Sequence, residues 1–451
     1  MDLSAPWRFG LRDLRRALQA GRIRPLDGVE AALWARLPAW NAYRCIDPDA
    51  GRRAEGRSGP LSGLPLSLKD VFGCSGFDTF GGSPRALPES YERPGPLVRR
   101  LLELGAPIVG KTHTVEFAFG GIGSNDHWGT PLNPRHPEAV PGGSTSGGPA
   151  SLLEGSAHLA FGTDTAGSIR IPASFCGVVG FKPGPGHWST EGIVPLSPTL
   201  DVPGVMARTA DDLALAVSWI DGTEASLAPE VAPQQLRLSV LPKFLEDADA
   251  DVAAAVEDAV SRLGRAGAVV YSRKIPELSA SLRLFAKGTV TGTEFASYMR
   301  THLAPWEALL QPNVRRRVEK GAQVSGAEYI RRRRRIDRLG AKARARFGFG
   351  ELWLLPTTPG TAPSRRAVTA PEVYDVENLR ALRNTSLANG LGLCATSLPL
   401  RTASGAPVGL MMMAPGGAEL FLLEATRAVE QVLGSARDLF DPPDRTATPP
   451  D

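Results

Sequence analysis

The sequence predicts an α/β protein built on one large β-sheet flanked by helices, and three observations predict it. Helix-like and strand-like patterns alternate along the chain instead of segregating. At 451 residues, the chain has a size that α/β proteins often reach around one sheet. A hydrophobic content of 42% against 22% charged residues describes a globular chain able to fill a full core.

The elements follow in order. Residues 11–37 read as two short amphipathic helices, with Gly21 as the stop between them. Residues 65–71 read as a strand that carries Lys69 to its end. Residues 94–104 read as a helix closed by Gly105, followed by a strand at 106–109. Residues 118–148 are rich in Gly, Asn, Pro and Ser, and an irregular stretch of that length in a compact protein is more often functional than not. Residues 159–162 read as a strand feeding a Gly/Ser loop, and 211–220 as a helix. The polar stretch 221–235 reads as a connection. A strand at 236–241, a helix near 249–264 and a strand at 268–271 come next, and helices dominate from there to Arg346. Residues 352–355 and 394–400 rejoin the sheet, and a helix spans about 419–433. The tail 436–451, with its Asp, Pro and Thr, reads as loose. No internal repeat is present.

Composition excludes several classes. No run of about 18 apolar residues occurs, so no membrane span is expected. The start Met1-Asp2-Leu3-Ser4-Ala5-Pro6 has neither a basic nor an apolar leader region, which makes the cytoplasm the expected location. Cys45, Cys74, Cys176 and Cys394 form no CxxC, as in a reducing compartment without a structural zinc site. Cys176 reads as a small packed residue. Net charge is +4, yet residues 315–346 hold thirteen basic and three acidic side chains, including Arg331 to Arg335. Such a cluster suits either an anionic partner or a solvated helix face. Ile336, Leu339, Ala343 and Phe347 keep helical spacing, and aromatic interleaving is sparse. The solvated face is therefore expected, with no nucleic-acid partner.

The run Gly162-Thr-Asp-Thr-Ala-Gly-Ser168-Ile-Arg-Ile-Pro172 carries the most chemistry. Its small residues let the backbone N–H groups of 165–168 turn toward one point, as an oxyanion hole requires. Upstream lie Ser144, in Pro141-Gly-Gly-Ser-Thr-Ser-Gly-Gly148, and Lys69, in Pro65-Leu-Ser-Leu-Lys-Asp70. In that order and context the three residues resemble the amidase signature family. The resemblance is dense over 61–210 and resumes at 352–359, 383–386 and 405–410.

The resemblance implies one amidase signature domain over 1–435, with a twisted mixed sheet and a substrate-shaping segment at about 221–350. It implies hydrolysis of a small-molecule amide to a carboxylate plus ammonia or an amine, through a serine acyl-enzyme and without metal or cofactor. Ser168 is then the nucleophile, and Lys69 is the base acting through Ser144, with a cis peptide at Gly143–Ser144. The backbone N–H groups of Thr165, Ala166, Gly167 and Ser168 form the oxyanion hole. Asp164 and Arg170 support the loop, and Ala118 and Phe119 line the acyl pocket. Family members are often dimers, which leaves a homodimer open.

Two departures stand out. Ala166 replaces a common glycine, which would strain the loop if that position needs a positive φ. Thr145-Ser146 replaces Ser-Gly, so Ser146 is an alternative relay. The base must be neutral, and an ordinary lysine titrating near 10.4 resists that at pH 7 by roughly 4.6 kcal/mol. Burial is therefore expected at Lys69, without a tight carboxylate partner.

Competing motifs fail on context. Gly105 to Thr112 matches the P-loop pattern GxxxxGK[ST], but a helix precedes it and Ala-Pro-Ile-Val between the glycines is strand-like. There is no GxSxG elbow, and the six histidines fall in no metal-ligating pattern. Two other functions stay open. One is the glutaminase subunit of a tRNA-dependent amidotransferase, although that subunit's Asn-Leu-Ala-Arg-Tyr-Asp-Gly segment has no counterpart near 291–298. The other is a basic interaction protein on an amidase scaffold.

Overall fold

The computed structural model describes residues 9–54, 56–223, 231–286, 290–440, 442 and 444–448. Among these, eleven strands form one sheet: β1 (Tyr43–Ile46), β2 (Leu66–Lys69), β3 (Ile108–Thr112), β4 (Leu159–Asp164), β5 (Val179–Lys182), β6 (Val202–Ala207), β7 (Arg237–Val240), β8 (Val269–Ser272), β9 (Glu351–Pro356), β10 (Leu393–Arg401) and β11 (Pro407–Pro415). Their order across the sheet is β1-β3-β2-β4-β6-β5-β10-β11-β9-β7-β8. The sheet is mixed. β2 runs parallel to β3 and β4, and β7 parallel to β8 and β9. β5, β6, β10 and β11 pair antiparallel.

Helices cover both faces. Successive strand side chains point to opposite sides. Leu352, Leu354, Leu410 and Met412 thus pack with Val256, Leu422 and Val429 of helices Ala250–Arg265 and Glu419–Leu433. Their neighbours Trp353, Leu355, Met411 and Met413 pack with Leu387 and Leu391, at the end of helix Pro371–Gly390. Strands buried on both sides read as continuous apolar runs.

Burial alone does not separate the strands the sequence pattern shows from those it leaves out, since β1 is half-buried throughout while β9 is buried throughout and legible. β1, β5, β6 and β11 are not expected from periodicity. β6, Val-Pro-Gly-Val-Met-Ala, carries two residues that normally punctuate structure, yet every position is buried. β3 extends to Thr112 and absorbs Gly110-Lys111-Thr112. Lys111 is fully buried, 3.2 Å from the Asp70 carboxylate, and donates to Thr79 Oγ1 at 3.0 Å. A lysine so committed is a packed charge rather than a phosphate ligand.

The tail differs from its loose expectation. A short helix spans Ala436–Leu439. Arg445 donates to the carbonyls of Glu154 at 2.7 Å and Ala35 at 2.8 Å, and Trp40 Nε1 donates to the Ala447 carbonyl at 3.1 Å. These contacts anchor residues that composition alone marks as free. Residues 441, 443 and 449–451 of that tail, and 224–230 of the 221–235 connection, lie outside the described residues. The arginine run sits on helix Gly326–Arg344, with Arg331, Arg334 and Arg335 exposed, Ile336 and Leu339 half-buried and Ala343 buried. No helix among the described residues is long and apolar enough to cross a membrane.

Candidate active site

Lys69 is the last residue of β2 and is fully buried. Its neighbour β4 runs parallel, with Leu68 opposite Phe161, so the strand end brings Lys69 beside Thr163. Ser144 arrives on a loop that turns at Gly142 (φ +77°), and the Gly143–Ser144 peptide is cis. Lys69 Nζ lies 2.8 Å from Ser144 Oγ and 2.8 Å from Thr163 Oγ1. Thr163 was not singled out in the sequence, although it stands inside the serine run; only strand pairing shows its reach. The hydroxyl of Ser146, the alternative relay, is buried and makes no hydrogen bond among the described residues.

Burial lowers the Lys69 pKa to about 7, partly opposed by the charges of Asp201 and Asp164. Asp70 turns away to Lys111 and Arg44 and does not pair with Lys69.

Ser168 follows β4 in the loop that enters helix Arg170–Cys176. Its carbonyl accepts from the Thr145 N–H at 3.2 Å, which ties the two serine loops together. Among the described residues no hydrogen bond joins the Ser144 and Ser168 hydroxyls. Ser168 is instead part of the wall of a cavity of about 460 Å³, with Thr165 and Ala166. The backbone N–H groups of Thr165, Ala166, Gly167 and Ser168 donate to no protein acceptor among the described residues. Four adjacent uncommitted donors beside a serine are suited to a developing oxyanion.

The residue needing the left-handed region is Gly167 (φ +140°), not Ala166. A Cβ on Gly167 would meet Thr385 Oγ1 at 2.1 Å. That hydroxyl donates to the Ala166 carbonyl at 2.6 Å and pins the loop. Alanine at 166 therefore causes no strain of the kind its sequence position suggested.

Asp164 and Arg170 are fully buried and pair in a fork, Nε to Oδ2 at 3.0 Å and Nη2 to Oδ1 at 2.8 Å. Asn389 completes the set: its Oδ1 accepts from Arg170 Nη2 at 2.6 Å and its Nδ2 donates to the Asp164 carbonyl at 2.7 Å. Thr165 Oγ1 donates to Asp201 Oδ1 at 2.5 Å, and Asp201 Oδ2 accepts from the N–H groups of Leu196 and Ser197. Burial raises the Asp201 pKa to about 6. Asp201 and Asn389 were missed in the sequence because each is distant in the chain.

Ala118 and Phe119 both line the cavity. Ala118 holds φ +59°, a sparsely populated value for alanine of the kind that clusters at functional sites. Its carbonyl accepts from Gly120 N–H at 3.1 Å, and the Phe119 carbonyl accepts from Arg317 Nη1. Each carbonyl oxygen has a second lone pair to offer. No group of three or more His, Cys, Asp or Glu with metal-holding geometry occurs among the described residues.

Sheet, serine loops and buried lysine together define a class, and comparison with known proteins agrees. The Amidase family pattern matches residues 34–423, so the chain belongs to that family of enzymes acting on C–N bonds. It is 44% identical over 424 residues to 2-amino-5-chloromuconic acid deaminase of Comamonas testosteroni, covering 90% of this chain and 92% of that one. It is 32% identical over 457 residues to an indoleacetamide hydrolase of Pseudomonas savastanoi, covering 95% and 98%. A solved structure described as an amidase superposes with a TM-score of 0.82 at 29% identity, covering 94% of this chain and all of that one.

Proposed function

We propose that the protein is a serine amidohydrolase of small organic substrates. Ser168 Oγ bonds to the substrate carbonyl carbon while its proton passes to Ser144, whose own proton passes to neutral Lys69 Nζ. The oxyanion rests on the N–H groups of 165–168. Collapse breaks the C–N bond, and the leaving nitrogen takes the proton back through the same relay. Water then repeats the sequence on the acyl-enzyme, releasing a carboxylate and free Ser168.

The observation that carries this reading is the buried Lys69–Ser144 contact at 2.8 Å, in a setting that holds the amine near its neutral form. The Thr145 N–H bond to the Ser168 carbonyl at 3.2 Å holds the two serine loops together, and a serine hydroxyl is free to swing among three staggered positions about one bond. The names of the two relatives support small nitrogen-bearing organic acids or amides as substrates.

The test is a turnover screen over varied amides, glutamine included, with wild type beside Ser168→Ala, Ser144→Ala and Lys69→Ala. Ser168→Ala should abolish turnover and the acyl adduct seen by intact mass. Full activity in Ser168→Ala would end the proposal. Glutaminase activity appearing only with added partner subunits would favour the amidotransferase reading instead.

A further inference from the structure

We propose that this cavity selects substrates bearing a carboxylate remote from the scissile amide, held by Arg316, Arg317 and Lys320; the inference rests on the amide-hydrolase reading of Ser168. All three cations line the same cavity as Ser168. They come from helix Pro312–Ala322, in the segment about 221–350 expected to shape the substrate. The only charged lining residue of opposite sign among those described is Asp375, which leaves an excess of two positive charges. Much of the remaining wall is apolar, including Leu200, Phe285, Val290 and Leu379.

Asp375 does not satisfy the cations. Its Oδ2 accepts from Arg316 Nη2 at 3.2 Å, while Oδ1 stands 3.8 Å from Arg317 Nη2, beyond hydrogen-bond reach. Arg317 Nη1 is engaged by the Phe119 carbonyl. Arg317 Nη2 is buried and has no hydrogen-bond acceptor. A buried guanidinium N–H without an acceptor is unfavourable, and a carboxylate is its matching partner in shape and charge. The Lys320 ammonium makes no hydrogen bond or ion pair among the described residues. Asp375 in the same wall disfavours a dianion such as phosphate. An apolar cavity with a cationic patch therefore fits an acyl chain ending in a single carboxylate.

The test compares kcat/KM for succinamate, glutaramate and adipamate with their neutral counterparts butanamide, pentanamide and hexanamide. At least one charged amide should exceed its neutral partner by tenfold or more. In Arg316→Gln/Lys320→Gln the ratio should fall below threefold, through KM rather than kcat. Arg334→Gln, an exposed arginine outside the cavity, should keep the wild-type ratio. Equal rates on both series, or an unchanged ratio in the double variant, would overturn the proposal. So would glutamine outrunning glutaramate, since that points to an amino-acid site. Calorimetric titration of glutarate and adipate into Ser168→Ala decides the case if no amide is turned over. Binding weakened tenfold by the double substitution would then uphold the carboxylate site while the hydrolase reading fell, and no binding would sink the site itself.

Discussion

At the scale of single residues, the decisive quantity is the proton on Lys69. Burial holds its pKa at about 7 against an ordinary 10.5. A base must be neutral, so kcat/KM should rise as pH climbs through about 7 and level off above it. Asp201 opposes that shift. Asp201→Asn should therefore move the rise to lower pH, and a profile flat from pH 5 to 9 in wild type would contradict the role given to Lys69. The same shift bears on stability. Lys69 titrates lower when folded than unfolded, so its contribution weakens as pH falls from about 10.5 toward 7 and is constant below. Gly167 and Ala166 teach a related lesson: the sequence shows which residues are small, but only backbone geometry shows which of them needs to be.

At the scale of elements, β4 and the helix after it are locked by a buried ion pair. Asp164 and Arg170 are both fully buried, and Asn389 bridges them from helix Pro371–Gly390. Asp164→Asn would leave the guanidinium uncompensated, which typically costs about 3–5 kcal/mol. Urea denaturation should show a loss of that size, and a loss under 1 kcal/mol would contradict the account. Elements with one exposed face or a clear stop were legible in the chain, such as helix Leu11–Gln19. Strands β5, β6 and β11 were not, because each carries Gly or Pro, which in a linear reading mark turns. Ser144 and Ser168 stand in runs of small residues, and with Lys69 they were legible through their order and context, which resemble the amidase signature family. Asp201 and Asn389 carried no such mark, and Thr163, though inside the serine run, shows its reach to Lys69 only through strand pairing.

At the scale of the whole molecule, the serine core and the segment 290–350 meet through a buried carboxyl. Glu116 Oε2 accepts from the Gln311 N–H at 2.8 Å, and Oε1 lies 3.1 Å from His127 Nε2. Asp126 and Arg315 also act on it, with opposite signs, and burial dominates, raising its pKa to about 8. A folded pKa above the unfolded one means stability that is complete below about 4.5 and is lost as pH rises through about 8. Glu116→Gln cannot ionise, so its Tm should fall less than that of wild type between pH 6 and pH 9. An identical fall would assign the loss to other groups.

The same junction separates what each level decided. The sequence alone determined the α/β class and the family and supplied the three residues proposed for the chemistry, since these readings rest on local pattern and on short motifs in a fixed order. Only the tertiary structure decided that Lys69 is fully buried, that the backbone N–H groups of 165–168 are uncommitted and that arginines of helix Pro312–Ala322 reach the cavity. Burial, donor availability and convergence depend on how separate segments pack against one another, so a linear pattern gives them only as expectations.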